Sequence, residues 1–102
     1  MNMKPLYGII LKARIDQDNR YELVIRDRRN IDIYICSIGD FHGYHPHEHV
    51  YVMSANIHPR IKNWERDIAV RIEIYSPWYI NLKNPYDLVG KQVYVSSYQH
   101  RV

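Results

Sequence analysis

The residues with most chemical potential lie in one short stretch, GYHPHEHVYV (43–52). His45, His47 and His49 alternate there, Glu48 sits among them, and His42 lies just upstream. In an extended segment alternate residues share a side. Neutral imidazoles so placed suit zinc, nickel or copper. A structural zinc asks for a fourth ligand, and the sequence offers Cys36, His42 and His58. Pro46 excludes a regular helix through the stretch. The spacing is not that of the zinc-protease helix, whose histidines stand four apart with the glutamate after the first. Clustered histidines also charge together below about pH 6. The competing reading is an exposed polar loop. We expect no resident metal or cofactor, with His45, His47 and His49 as the candidates should one bind.

Other catalytic chemistry has little to build on. A nucleophile needs an oriented base beside it. Cys36 ends an expected strand on its polar face with no diagnostic sequence around it, and no Gly-rich phosphate loop is present. The acids Asp16 and Asp18 read as turn residues. The expectation is a protein that is not an enzyme. Binding is better served. RDRR (26–29) projects from an expected hairpin, and PRIKNWER (59–66) interleaves basic residues with Trp64. Basic grooves with aromatic platforms bind single strands, although Asp27, Glu65 and Asp67 interrupt both clusters. Nucleic-acid binding is therefore the alternative expectation, and metal binding through loop 42–49 the second alternative.

The leading expectation is protein–protein binding. Tyr34, Tyr51, Tyr75, Tyr79, Tyr94 and Tyr98 alternate with aliphatic residues and should face away from them. Tyrosine supplies contact area at low entropy cost and is enriched at interfaces. Each of these tyrosines taken singly could instead cover a second core layer. Tyr51, Tyr94, Tyr34 and Tyr79 are the expected walls of a groove for an extended peptide, which an open sheet edge would accept as an added strand.

The elements that must position these residues are strands. The chain has 14 Ile, 8 Val and 10 Tyr against 3 Ala and 5 Leu. β-branched and aromatic side chains suit a pleated sheet, whereas Ala and Leu favour helices. Alternation predicts seven strands, near 6–15, 21–26, 31–36, 50–56, 68–75, 78–83 and 93–98. RDRRN (26–30) and YSPW (75–78) read as hairpin connections. NPYDLVG (84–90) reads as one capped helical turn, with Asn84 as cap, Pro85 at the first position and Gly90 as the stop. SIGDFHG (37–43) places Ser37 and Gly43 similarly. Pro59, Ile61 and Trp64 could start a short helix in the connection 56–67.

At 102 residues the chain is expected to form one domain, 1–102. Hydrophobic residues make up 46% and charged residues 25%, with a formal charge of +3, ordinary for a globular protein that tolerates but does not demand nucleic acid. No apolar run is long enough to span a bilayer as a helix. MNMKPLYGIILK (1–12) lacks the small-residue cleavage site of a signal peptide. A single cysteine excludes an intramolecular disulfide.

The sequence also aligns with itself. A shift of 47 sets Leu23 on Val70, Ile25 on Ile72, Ile33 on Ile80, Asp40 on Asp87 and Gly43 on Gly90. The shift then falls to 43, and HVYVMS (49–54) lies on QVYVSS (92–97). This predicts a duplicated strand-strand-turn-strand unit, motif A about 6–49 and motif B about 50–98, with pseudo-two-fold symmetry. The four extra residues of the first copy are Tyr44, His45, Pro46 and His47, which makes the histidine stretch an insertion. The expected fold is mainly β with short helical turns, barrel-like or two packed sheets, and the peptide groove is the seam between its two motifs.

The stretch NIDIYICSIGDFHGYHPHEHVYVMSANIHPRIKNW and the Ile/Tyr/Asn-rich character of the whole chain resemble the small uncharacterised proteins of an Acidianus filamentous virus, a lipothrixvirus of hyperthermophilic archaea. The resemblance carries no functional motif and no site residues. It implies a viral protein at work in the cytoplasm of a hot, acidophilic host cell, with a viral or host protein segment as partner. A compact fold rich in Ile and Tyr would suit such a host.

Overall fold

The computed structural model describes residues 5–15, 17–18, 20–29, 33–59, 68–81 and 84–97. Among them the chain forms six strands: β1 (Leu6–Ile15), β2 (Tyr21–Asp27), β3 (Ile33–His45), β4 (Val50–Pro59), β5 (Ile68–Tyr75) and β6 (Gln92–Ser97). Each pairs antiparallel with the next, and β6 pairs with β1, which closes the sheet into an up-and-down barrel. Closure registers Leu6 with Val95, Tyr7 with Tyr94, Gly8 with Val93 and Ile9 with Gln92. The fold is mainly β and barrel-like, as the composition predicts. No helix among the described residues is long and apolar enough to cross a membrane.

The alternation of apolar residues sets the inner face. Leu6, Ile10 and Ala13 of β1, Leu23 and Ile25 of β2, Cys36 and Ile38 of β3, Val70, Ile72 and Ile74 of β5 and Val93 and Val95 of β6 meet in one buried cluster. Burying a side chain of Val, Leu or Ile size is worth about 1.5–3 kcal/mol, so this shared interior is the chief stabilising feature. Strands from both sequence halves contribute to it, so neither half has a core of its own.

Three sequence expectations are corrected. First, segment 78–83 supplies no seventh strand: its described residues, 78–81, lie outside the sheet. Both edges of β5 are already taken, by β4 and β6, and Pro77 lacks the donor a ladder needs. YSPW is therefore not a hairpin turn. It opens the connection 76–91, which places Ile80 and Leu88 in the core cluster. Second, SIGDFHG is not a capped turn. It continues β3 to His45, with register shifts that make Gly39 and His42 bulged residues. Its counterpart NPYDLVG does hold a 3₁₀ turn, Pro85–Leu88, and Gly90 takes the left-handed φ of +86°. Asn84 makes no side-chain cap; its carbonyl accepts the Asp87 N–H at 3.2 Å.

Third, the residue-by-residue alignment does not hold in three dimensions. Its first copy, 23–54, runs β2–β3–β4, whereas in its second, 70–97, β5 pairs directly with β6. The best-matched quartets also face opposite ways. Tyr51 of β4 points into the barrel with Met53, Ala55 and Ile57, while Tyr94 of β6 points out between the buried Val93 and Val95. The facing that the alignment transfers from one copy to the other therefore fails, and Tyr51 and Tyr94 do not meet in one groove. The connection containing Pro59, Ile61 and Trp64 falls largely outside the described residues.

Gly8 marks the tightest point of the wall. A Cβ there would lie 2.6 Å from the Arg26 carbonyl oxygen and 2.6 Å from a methyl carbon of Ile25. The neighbour on one side is backbone, so the clash cannot relax by a rotamer change. Gly8→Ala should cost about 1–3 kcal/mol, the range for overpacked interiors. Thermal melting checks this, and a variant as stable as the wild type would show that β1 and β2 separate easily.

Candidate ligand-binding surfaces

The histidine stretch folds as a hairpin tip. Tyr44 and His45 are the last residues of β3, registered with Tyr51 and Val50. Residues 46–49 form the turn, closed by the Glu48 N–H donating to the His45 carbonyl at 3.1 Å, and His49 has φ +57°. This turn breaks the extended geometry that would set His45, His47 and His49 on one side. All three are exposed. Among the described residues no three His, Cys, Asp or Glu side chains stand close enough to hold a metal. His42 Nε2 instead shares a hydrogen bond with Ser54 Oγ at 2.6 Å. Tyr44 is not dispensable insertion either. Its ring lies 4.6 Å from that of Tyr51 and its hydroxyl donates to the Ser76 carbonyl at 3.0 Å.

The four expected groove tyrosines do not share a wall. Tyr51 is fully buried. Its hydroxyl donates to the Ile80 carbonyl at 2.9 Å and accepts the Ile80 N–H. One side chain thus satisfies both polar groups of a buried backbone residue that has no ladder. Desolvation raises the Tyr51 pKa, with the Ile80 hydrogen bond opposing. Tyr51 is a core residue, and its expected role in a groove is corrected. Tyr79 lies against it, 6.1 Å between centroids, and is 70% exposed. Tyr34 sits at the opposite end of β3, registered with Ile25 and Pro59, partly buried on the core. Tyr94 is on the outer face, its ring centroid 4.8 Å from that of Tyr7 and its plane tilted 46° to it.

Register gathers a second aromatic group that the sequence did not suggest. Cross-strand neighbours on the outside run Glu73, Tyr94, Tyr7, and the Tyr7 carbonyl accepts the Arg28 N–H at 2.8 Å. A parallel row runs Gln92, Ile9, Arg26, with Tyr75 the next outward residue of β5 after Glu73. RDRR resolves into three roles here. Arg26 and Arg28 are exposed, while Asp27 is buried. Arg29 turns back on Asp27, donating its backbone N–H to Oδ1 at 2.6 Å, with its guanidinium 3.3 Å from the carboxylate. The Arg29 side-chain hydrogen bond holds the Asp27 pKa below the ordinary carboxylate value against the effect of burial. A cleft of about 420 Å³ lies over this face, lined by Tyr7, Ile9, Arg28, Tyr75 and Gln92 among others. Tyr7 could not be picked out from sequence, because its neighbours Tyr94 and Arg28 are brought by non-local pairing. The PRIKNWER cluster falls mostly outside the described residues.

Cys36 lies on the inner, not the polar, face of β3, buried in the core, where desolvation pushes its thiol pKa far above the ordinary value. A protonated, enclosed thiol is a poor nucleophile. Asp18 is an exposed turn residue, and Asp16 lies outside the described set. The chain matches no family model, no curated protein and no solved structure.

Two pH effects follow. Tyr51, Tyr75 and Cys36 all have raised values in the fold. Their contribution is complete below the unfolded values and is lost as pH rises through the folded ones. Tyr51→Phe leaves the Ile80 groups without a partner and should cost about 1–3 kcal/mol at neutral pH. It should also flatten the fall in stability above about pH 10, as read by denaturant unfolding against pH. The Asp27 contribution has the opposite sign: present above the unfolded carboxylate value, it is lost as pH falls through the folded one. Asp27→Asn should therefore destabilise at pH 7, with the difference from the wild type shrinking as pH falls through the folded carboxylate value.

Proposed function

We propose that the chain is a non-enzymatic binding protein that takes an extended peptide as an added strand on β3. One observation carries this reading. The β2–β3 ladder ends at Glu22 and Ser37, whereas the β3–β4 ladder continues to His45 and Val50. Over 38–45, β3 is therefore paired with a strand on one side alone among the described residues. A row of backbone groups on such an edge templates another chain. Phe41, 49% exposed, lies on this stretch, and Trp78 and Tyr79 are exposed in the connection 76–91. Of the four tyrosines expected at a groove, Tyr79 alone fits this placement.

The bulged residues Gly39 and His42 interrupt the edge. They shorten any continuous run of hydrogen bonds, which favours a weak, reversible complex and discourages edge-to-edge aggregation. Side chains of the incoming strand would supply the rest of the affinity against Phe41 and Tyr79. The partner is then a segment with alternating apolar residues from another protein.

A peptide-library screen followed by hydrogen exchange tests this. Bound peptide should protect the amides of 38–45. Phe41→Ala and Tyr79→Ala should each weaken binding by about 1–3 kcal/mol, with folding verified by melting and little dependence on salt. Binding that leaves 38–45 unprotected would move the site elsewhere.

A further inference from the structure

We infer that the outer face of β5, β6 and β1 is a second, independent site, and that it binds single-stranded nucleic acid. The ligand is named by the chemistry that the barrel closure assembles there. Tyr7 and Tyr94 are outward neighbours with ring centroids 4.8 Å apart, and Tyr7 is 55% exposed. Tyr75 projects from the next strand but one, and Ile9 is exposed in the adjoining row. Aromatic faces accept bases of any sequence, because every base has a stacking face. Duplex DNA keeps those faces hidden, so the platform selects single strands.

The cations stand at the borders of this platform. Arg26 and Arg28 emerge from β2 and its turn, beside Ile9 and Tyr7. On the far side a hollow of about 370 Å³ shares Tyr75 and Gln92 with the first cleft and reaches Lys91. The two hollows adjoin at Tyr75 and Gln92, with Arg28 at the first and Lys91 at the second. Glu73, the acid across from Tyr94, is paired with Arg71 at 3.2 Å. Tyr75, like any tyrosine, is neutral at neutral pH, and desolvation, Glu73 and the two neighbouring tyrosines raise its pKa further, so it does not repel phosphate. Guanidinium groups match phosphate oxygens in a fork. The Asp27–Arg29 pair ties down the turn, and the Arg28 N–H is fixed to the Tyr7 carbonyl, so the backbone carrying one arginine is held beside the Tyr7–Tyr94 pair. From Tyr75 across β6 and β1 to Arg26 the row crosses three strand spacings, roughly 14 Å. That is enough for about two to four nucleotides, on the rise per base of a stacked strand.

An acidic peptide would satisfy the arginines but leave the tyrosine faces unused, which is why nucleic acid is favoured. The site shares no residue with the β3 edge, so it stands or falls separately from the peptide reading. Fluorescence anisotropy with a labelled twelve-nucleotide oligothymidylate and the full chain tests it. With three cations engaged, the slope of log affinity against log salt should be about −2, a loss of about 20-fold between 50 and 200 mM salt. Arg26→Gln/Arg28→Gln should make that slope shallower by about 1.4. Tyr7→Ala/Tyr94→Ala should weaken binding about tenfold or more at unchanged slope. Phe41→Ala should have no effect. Both double variants change outward side chains, and melting confirms that they fold. The inference is overturned by absence of binding at micromolar protein, by equal affinity for duplex, by folded variants that bind as the wild type does, or by polyglutamate competing as well as unlabelled oligonucleotide.

Discussion

The ladder between β1 and β6 is the constraint on which the rest depends. It joins the first strand to the last through four registered pairs. Without it the sheet would have two free edges and no enclosed interior. With it, each strand has a neighbour on both sides, and one face of every strand is committed to the core. It also dictates that the connection 76–91 cannot enter the sheet. That connection instead brings Ile80 into the cluster, where a side chain has to stand in for the missing ladder. Tyr51 does so by bonding both polar groups of Ile80. A buried amide and carbonyl left unpaired would each carry a desolvation penalty, so this tyrosine hydroxyl makes the plugging of the barrel energetically tolerable.

The strands were legible because their signal is local. Residues 68–75 alternate cleanly, and the boundaries of 68–75 and 6–15 match the structure. The facing of 6–15 does not: Ile9, Leu11, Ala13 and Ile15 read as its inner face, but a bulge at Leu11 turns Gly8, Ile10 and Ala13 inward and leaves Ile9 outside. Facing was less legible. Val50, Tyr51 and Val52 read like Val93, Tyr94 and Val95, with the valines inside. In β4 the tyrosine is inside. Val50 and Val52 are nevertheless buried, at 2% and 5% exposure, on the outer side, so all three residues of β4 escape solvent. Period alone cannot orient a strand that is covered on both faces. The internal alignment compounded the error, because it transferred the facing of one VYV to the other. Residues 78–81 alternate as a strand would and still lie outside the sheet; their local pattern lost because both edges of the preceding strand, β5, are already paired.

The candidate sites were legible in pieces. RDRR and Tyr94 were each visible as polar or aromatic features, and Tyr79 was visible as an exposed aromatic. Their grouping was not, because cross-strand neighbours are set by register between segments far apart in the chain. Tyr7 and Tyr94 touch only through barrel closure. The open stretch of β3 depends likewise on a length difference: β2 begins at Tyr21, too late to accompany β3 as far as His45. The histidines attracted attention through composition, yet a tight turn separates their directions. Residue type proposes chemistry, and backbone geometry decides whether the groups converge.

Gly8 ties the interior to the proposed nucleic-acid surface. It sits between Tyr7 and Ile9, facing inward where β1 runs close to the Arg26 backbone. That closeness allows the Arg28 N–H to reach the Tyr7 carbonyl. Bulk at position 8 would press β2 away from β1, and Arg26 and Arg28 would move with it, away from the tyrosines. The outer face therefore has its geometry set from beneath, by the absence of a side chain in the wall. A surface fixed in this way loses little conformational entropy on binding, since its backbone is already ordered by two ladders. The β3 edge has no such support on its open side and must order its partner strand as it binds. The two proposed surfaces thus differ in physical character as well as in place: one is a preformed platform for stacking and charge, the other a backbone template that the ligand completes.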